Sequence, residues 1–112
     1  DKDQKLHKTA EWVNFRKRFL KENPECYCCG ERATVVDHVI ASRGNKDVFE
    51  RTGNHLPLCG LHHNTITGKF DSKSANADSA TEKLKYLART RAASEEASGR
   101  KFPSVKVLRY KA

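Results

Sequence analysis

Two short stretches decide the fold of this chain: PECYCCGERATVVDHVI at positions 24–40 and NHLPLCGLHHN at positions 54–64. Each contains two residues of zinc-ligand type three positions apart, Cys26 and Cys29 in the first and Cys59 and His62 in the second. Two such pairs can converge on one tetrahedral Zn²⁺ ion. Reduced cysteines without a metal are the alternative, but this paired spacing is hard to obtain by chance. The sequence therefore predicts a structural zinc site.

A third cysteine lies within the first pair. Because Cys26, Cys28 and Cys29 are crowded together, they suit metal ligation better than a disulfide framework, and this favours a reducing compartment. Cys28 and Cys29 are both near enough in sequence to pair with Cys26, but only Cys29 reproduces the usual three-position knuckle. Gly30 follows directly and relieves the backbone where such a turn reverses. Cys28 is interpreted as a spare thiol.

The composition indicates a small hydrophobic core that does not stabilise the fold by itself. The chain has 112 residues, of which 37% are hydrophobic and 8% aromatic. A chain this short and polar buries little apolar surface, so additional stabilisation is expected. One bound zinc ion can contribute on the order of 10 kcal/mol.

The charge balance indicates the kind of partner. Lysine and arginine number 22 against 14 aspartate and glutamate residues, which gives a net charge of +8. Such an excess suits a polyanion such as nucleic acid, with a well-solvated surface as the alternative. No stretch approaches the roughly 18 consecutive apolar residues of a membrane span.

Apolar spacing and helix-breaking residues predict an α+β fold in a single domain over 1–112, with a core at about 9–70 and a C-terminal helix and basic tail at 80–112. Trp12, Phe15 and Phe19 have helical spacing, whereas the β-branched run before Asp37 is typical of a strand. The predicted helices are 9–23, 61–70 and 81–97, and the predicted strands are 33–40 and 55–58. A polar loop anchored by Phe49 is predicted at 41–53, and a connector at 71–79. Residues 104–110 can form either a terminal strand or a basic tail.

Several motifs occur in an order and spacing that resembles one enzyme family: Val36-Asp37-His38-Val39, Arg43-Gly44-Asn45, Asn54-His55-Leu56-Pro57-Leu58-Cys59 and His62-His63-Asn64. Together they resemble the signature of the HNH endonucleases, and they are especially similar to small phage and bacterial members with a zinc ribbon. The resemblance covers about 24–67. It implies a ββα-metal core with a zinc-knuckle staple, which the predicted N-terminal and C-terminal helices flank. It also implies metal-dependent hydrolysis of DNA phosphodiester bonds, as a nick or a double-strand cut.

The resemblance implies a role for each residue at a signature position. His38 is the general base that activates a water molecule, and Asn54 ties down the loop that carries His38. Asp37 and His63 hold one catalytic Mg²⁺ or Mn²⁺ ion. Each residue also has an ordinary alternative, Asp37 and Asn54 as turn residues and His38 as a partly exposed histidine. Their combination with the zinc frame favours catalysis.

The chemistry of phosphodiester hydrolysis agrees with these roles. A divalent ion can neutralise the charge that develops on the leaving oxygen, and a neutral imidazole that titrates near the working pH can take a proton from water. Adjacent residues of a strand point to opposite faces, so Asp37 can face the metal while His38 faces the water. Neighbouring positions of a helix diverge by about 100°. His62 and His63 are therefore expected to serve separate ions.

DNA is the expected partner, and no association with a membrane is expected. The sequence is compatible with both a monomer and a homodimer. Basic residues outside the signature are candidates for phosphate contacts: Arg16, Lys17, Arg18, Lys21, Arg43 and Lys69. The chain departs from many HNH proteins in two places. His62 replaces a cysteine of the second knuckle, and Ile66-Thr67 replaces a Lys-Thr pair. Lys69 can compensate for the lysine that is missing from that pair. The competing hypotheses are a non-catalytic, zinc-stabilised DNA-binding module and a nuclease that acts on RNA. The expected location is the cytoplasm of a bacterial or phage-infected cell.

Overall fold

A computed structural model describes residues 2–70 and 77–107 of the chain. Over these residues the elements are five helices and one two-stranded antiparallel sheet. In chain order they are α1 (Lys2–His7), α2 (Ala10–Glu22), β1 (Val35–His38), α3 (Lys46–Glu50), β2 (His55–Leu58), α4 (Gly60–Phe70) and α5 (Ala77–Ser98). The expected α+β class is confirmed.

Helix α2 begins at a side-chain cap and packs one aromatic face on the sheet. The hydroxyl of Thr9 accepts a hydrogen bond from the backbone N–H of Trp12 at 3.2 Å, which satisfies a donor that the first helical turn leaves open. Trp12 joins Val36 and Phe49 in a buried cluster. Partly buried residues of the same side pack against it: Leu6, Phe15, Phe19 and Leu20. The predicted helix 9–23 matches α2 to within a residue at each end.

The sheet separates two groups of side chains because residues alternate along each strand. The register pairs Val35 with Leu58, Val36 with Pro57, Asp37 with Leu56 and His38 with His55. Val36, His38 and His55 lie on the side covered by α2, whereas Leu56 and Leu58 belong to a second core cluster. The other fully buried members of that cluster are Cys26, Cys28, Val39, Ile66 and Leu87. A two-stranded sheet is marginal by itself, so the helices on both sides stabilise it.

The C-terminal helix belongs to this second core. Leu87 of α5 is fully buried among residues of β2 and α4. Arg91 of the same helix donates hydrogen bonds to three backbone carbonyl oxygens, those of Tyr27 at 3.0 Å, Phe102 at 2.7 Å and Pro103 at 2.8 Å. The guanidinium also lies 4.5 Å from the centre of the Tyr27 ring. These contacts attach both α5 and the segment after it to the cysteine-bearing turn.

The expectation of a polar loop over 41–53 was wrong in part, because the short helix α3 lies within it. Asn45 caps this helix, its side-chain oxygen accepting from the N–H of Val48 at 3.1 Å, and Phe49 is buried as expected. Helix α1 was also not predicted. Helix α5 begins within the expected connector 71–79, of which 71–76 lie outside the described residues. Residues 104–107 form no strand, and 108–110 lie outside the described residues.

Candidate metal centre and adjoining polar site

The first pair of cysteines lies in a tight turn closed by backbone hydrogen bonds. The N–H of Cys26 donates to the carbonyl of Glu31 at 2.6 Å, and the N–H of Gly30 donates to the carbonyl of Cys26 at 2.9 Å. Gly30 has a φ of +74°, and a Cβ there would lie 2.7 Å from the Phe102 ring. A left-handed backbone and a close neighbour both require glycine at this position. The turn thereby presents Cys26 and Cys29 to the same side.

The second pair lies at the start of α4. Cys59 immediately precedes the helix, and His62 is in its first turn. The N–H of His63 donates to the carbonyl of Cys59 at 3.0 Å, which closes that turn. Residues three positions apart on a helix share a face. Cys59 and His62 therefore approach the cysteine turn together.

The four predicted zinc ligands lie close enough to hold one metal ion. Their ligand atoms all lie within 4.8 Å of one another, with Cys29 Sγ 3.8 Å from Cys59 Sγ and Cys59 Sγ 3.2 Å from His62 Nδ1. Two thiolates bonded tetrahedrally to zinc at about 2.3 Å are about 3.8 Å apart. The sulfur separation and the Cys₃His donor set both fit a closed structural zinc site.

The thiol of Cys28 is not one of the four predicted ligands, but it changes the pKa of one of them, Cys26. A hydrogen bond from Cys28 is the main reason that the pKa of Cys26 falls to about 4, although burial opposes it. The same hydrogen bond, together with burial, raises the pKa of Cys28. Burial raises the pKa of Cys29 to about 12. Of these thiols Cys26 therefore ionises most readily, whereas Cys29 loses its proton as a metal binds.

Asp37 and His63 face each other beside this cluster, and a lysine completes the group. Asp37 Oδ1 lies 3.8 Å from His63 Nε2, and Asp37 Oδ2 lies 2.8 Å from Lys83 Nζ. Lys83 also donates to the backbone carbonyl of His38 at 2.7 Å. Asp37 and Lys83 are buried, with 3% and 1% of their side chains exposed, whereas His63 is 31% exposed. A carboxylate oxygen and an imidazole nitrogen are both groups that can act as metal ligands.

His38 lies on the opposite side of the sheet, in an aromatic surrounding. Its ring is stacked on Trp12 at 5.1 Å and lies 4.3 Å from the ring of Phe49, with His55 at 5.1 Å and His7 at 5.9 Å. His38 Nε2 is 3.0 Å from the carbonyl oxygen of Phe49. A carbonyl only accepts, so Nε2 carries the hydrogen and Nδ1 carries the lone pair. His55 Nε2 binds the same oxygen at 2.9 Å.

The protonation of His38 differs from the sequence-based expectation. Burial, reinforced by the positive charge that a protonated His55 would bring, lowers the pKa of His38 to about 3 rather than leaving it near neutrality. His38 is therefore uncharged at neutral pH. Burial likewise lowers the pKa of His55.

Asn54 links the chain on either side of α3. It is fully buried, and its Oδ1 accepts from the N–H of Ile40 at 2.8 Å. Its Nδ2 donates to the carbonyls of Val48 at 2.8 Å and Ile40 at 3.2 Å. A buried amide with three hydrogen bonds holds its partners strongly, because each would otherwise be unsatisfied. Asn54 thus ties the segment after His38 to α3, whose residue Phe49 contacts the imidazole.

All six basic residues suggested for phosphate contact are exposed: Arg16, Lys17, Arg18, Lys21, Arg43 and Lys69. Arg16 donates to the carbonyl of Thr34 at 3.2 Å, and Lys69 Nζ lies 5.4 Å from the centre of the Tyr86 ring. Exposure is the usual state of lysine and arginine, and it leaves these charges accessible to a polyanion.

The site residue that the sequence analysis missed is Lys83. It lies four positions before Leu87 on α5 and so shares the face of the helix that Leu87 buries. Its position on an apolar face was the available signal, since a lysine there must find an ionic partner.

Fold and site together define a small α+β protein with a Cys₃His cluster that can hold a metal ion. Comparisons with protein-family models, with curated proteins and with solved structures found no match to this chain. Among the helices of 2–70 and 77–107, none has the length and apolar character needed to cross a membrane.

Because His38 is buried, we expect the free energy of unfolding of the protein to decrease as the pH falls. Because burial holds its pKa at about 3 in the folded protein, against 6.5 ordinarily, only the unfolded chain takes up this proton between those values. Through this group the free energy of unfolding should fall by about 2 kcal/mol from pH 7 to pH 5, and change little above pH 7. Urea titrations of zinc-loaded protein at the two pH values measure the change. His38→Phe should reduce it, and an undiminished pH dependence in that variant would contradict the prediction.

Proposed function

We propose that this protein is a metal-dependent DNA endonuclease of the HNH type, stabilised by zinc in the Cys₃His cluster. The observation that carries the proposal is the arrangement around β1. Asp37 faces His63 across 3.8 Å on one side of the sheet, while His38 lies on the other side with its ring bound to the Phe49 carbonyl. Phosphodiester hydrolysis can use a metal-ligand pair together with an oriented imidazole, and here one ligand, Asp37, directly precedes His38 in the sequence.

The zinc ion has a structural role in this proposal. Cys26, Cys29, Cys59 and His62 supply four ligands, which fill a tetrahedral site and leave no position for water or substrate. The cluster joins the cysteine turn to the start of α4, and His63 is the next residue of that helix. With zinc bound, this connection would hold His63 in position relative to β1.

His38 acts as the general base. The lone pair on Nδ1 takes a proton from a water molecule, the water oxygen bonds to phosphorus, and the bond from phosphorus to one ester oxygen breaks. The leaving oxygen takes a proton from solvent, and the protonated His38 returns its proton to solvent. The pKa of about 3 keeps His38 neutral before substrate binds. A phosphate anion close to the ring favours the protonated form and so strengthens the base when it is needed.

Asp37 and His63 would hold Mg²⁺ or Mn²⁺, which when bound supplies charge neutralisation at the reacting phosphate. Asn54 orients the base indirectly, since its three hydrogen bonds fix the segment after His38 and α3. The exposed basic residues contact the DNA backbone: Arg16, Lys17, Arg18, Lys21, Arg43 and Lys69.

Substitution of the two adjacent histidines tests the proposal. His63→Ala should keep zinc and thermal stability but reduce Mn²⁺-dependent nicking of supercoiled plasmid by about 100-fold or more, since loss of a mere outer-shell partner already costs about 10–100-fold. His62→Ala should lower zinc content and melting temperature together, because zinc-binding energy is folding energy.

The unmodified protein supplies the reference for this test. Its nicking should require added Mg²⁺ or Mn²⁺ and should exceed its cleavage of an RNA of matched sequence. DNA binding without any nicking would instead indicate a non-catalytic module. Zinc loss in His63→Ala with zinc retained in His62→Ala would reverse the assignment of the two histidines.

A further inference from the structure

The buried ammonium group of Lys83, which lies on α5, contacts two adjacent residues of β1, Asp37 and His38. Lys83 Nζ lies 2.8 Å from Asp37 Oδ2 and 2.7 Å from the carbonyl oxygen of His38. Only 1% of the lysine side chain is exposed. Burying a lysine charge is costly unless it is paired and hydrogen-bonded, so these contacts hold the ammonium firmly in place. Helix α5 thereby reaches both the proposed metal ligand and the backbone of the proposed base.

The lysine also changes the charge of the proposed metal site. Asp37 brings one negative charge and Lys83 brings one positive charge, so the pair has no net charge. A divalent ion held through Asp37 Oδ1 would therefore meet a carboxylate whose other oxygen already binds a cation. Like charges close together in a buried site repel each other more strongly than in water. The free protein should bind the ion weakly, and a phosphodiester would supply the missing negative charge.

Building on the proposed nuclease function, we infer that Lys83 is a positioning residue that makes firm binding of the catalytic divalent ion depend on the substrate phosphate. It holds Asp37 Oδ2 so that Oδ1 faces His63, and it balances the charge of Asp37 in the free protein. Ion and DNA then bind cooperatively, and by linkage each raises the affinity for the other by the same factor.

Lys83→Met tests this inference, with Lys85→Met as the matched control. Lys85 lies on the same helix but is 60% exposed. Both changes are made in zinc-loaded protein carrying His38→Ala, so that DNA stays intact. Electron paramagnetic resonance measures Mn²⁺ binding without DNA, and fluorescence anisotropy of a labelled duplex measures DNA binding with and without Mn²⁺.

Removing Lys83 should tighten Mn²⁺ binding in the absence of DNA by about tenfold and should shrink the enhancement of DNA binding by Mn²⁺. Lys85→Met should change neither. A merely structural role predicts the opposite sign, because a loosened Asp37 would bind Mn²⁺ more weakly. Zinc content and circular dichroism verify the fold, and Lys83→Gln, which keeps a hydrogen-bond donor without the charge, serves if the methionine variant does not fold.

The experiment distinguishes a failure of the inference about Lys83 from a failure of the nuclease proposal. Unchanged or weaker Mn²⁺ binding in a folded Lys83 variant would overturn the inference and leave the nuclease proposal standing. Absence of Mn²⁺ binding to the His38→Ala protein, both with and without DNA, would overturn the nuclease proposal itself and the inference with it.

Discussion

Replacement of His38 by alanine is expected to lower the rate of plasmid nicking by about 10²–10⁴-fold, the usual contribution of a general base. DNA affinity should stay within about twofold, because the base acts only in the transition state. The imidazole is neutral at the working pH and its Nδ1 lone pair is directed away from the Phe49 carbonyl that Nε2 occupies. In the proposed mechanism its loss removes the proton acceptor but leaves in place all the basic residues proposed to contact the DNA backbone.

His55→Ala is the matched control for this experiment. His55 lies opposite His38 in the sheet and binds the same carbonyl oxygen, so alanine there leaves a similar void. Both variants should lose stability, by roughly 3 kcal/mol for an aromatic ring removed from a core. Only in His38→Ala should the nicking rate fall by more than the decrease in the fraction of folded protein accounts for. Parental nicking by His38→Ala would show that another group is the base.

The largest effect on stability is expected from Cys26→Ser. Serine is a poor zinc ligand, and the binding energy at stake is on the order of 10 kcal/mol, which exceeds what a small polar core supplies. The variant should therefore lose zinc and be largely unfolded at room temperature. Metal analysis, circular dichroism and urea titration measure the three consequences.

Cys28→Ser provides the comparison for Cys26→Ser, because both cysteines are fully buried and only Cys26 belongs to the cluster. Burying a hydroxyl in place of a thiol should cost about 1–3 kcal/mol, while zinc stays bound. Loss of zinc from Cys28→Ser together with its retention in Cys26→Ser would show that the ligands had been assigned to the wrong thiol.

Local sequence signals predicted the elements that carry strong periodicity or strong motifs. Trp12, Phe15 and Phe19 indicated α2, and the run before Asp37 indicated β1, although that strand is shorter than 33–40. Helix α3 was missed because its five residues show no resolvable period, and its start depends on the Asn45 cap. The cysteine and histidine spacing predicted the metal cluster, since the pairs are local and the knuckle geometry is stereotyped.

The chemistry of the adjoining site depended on contacts between distant parts of the chain. Lys83 reaches Asp37 across 46 positions and the carbonyl of His38 across 45. The pKa of His38 depends on the burial that Trp12 and Phe49 create, which no property of the Asp37-His38 pair reveals. Sequence reasoning therefore identified candidate ligands and a candidate base but not their protonation or ionic partners.

The sequence by itself determined the α+β class, the four residues that can hold a metal ion, and the separation of Asp37 from His38 on opposite faces of one strand. These features follow from residue type, short-range spacing and the two-residue period of a strand. The tertiary structure alone decided that α5 completes the core, that Lys83 neutralises Asp37, and that His38 is desolvated. Desolvation and ion pairing depend on which surfaces meet, and chain folding brings those surfaces together from positions that sequence spacing does not relate.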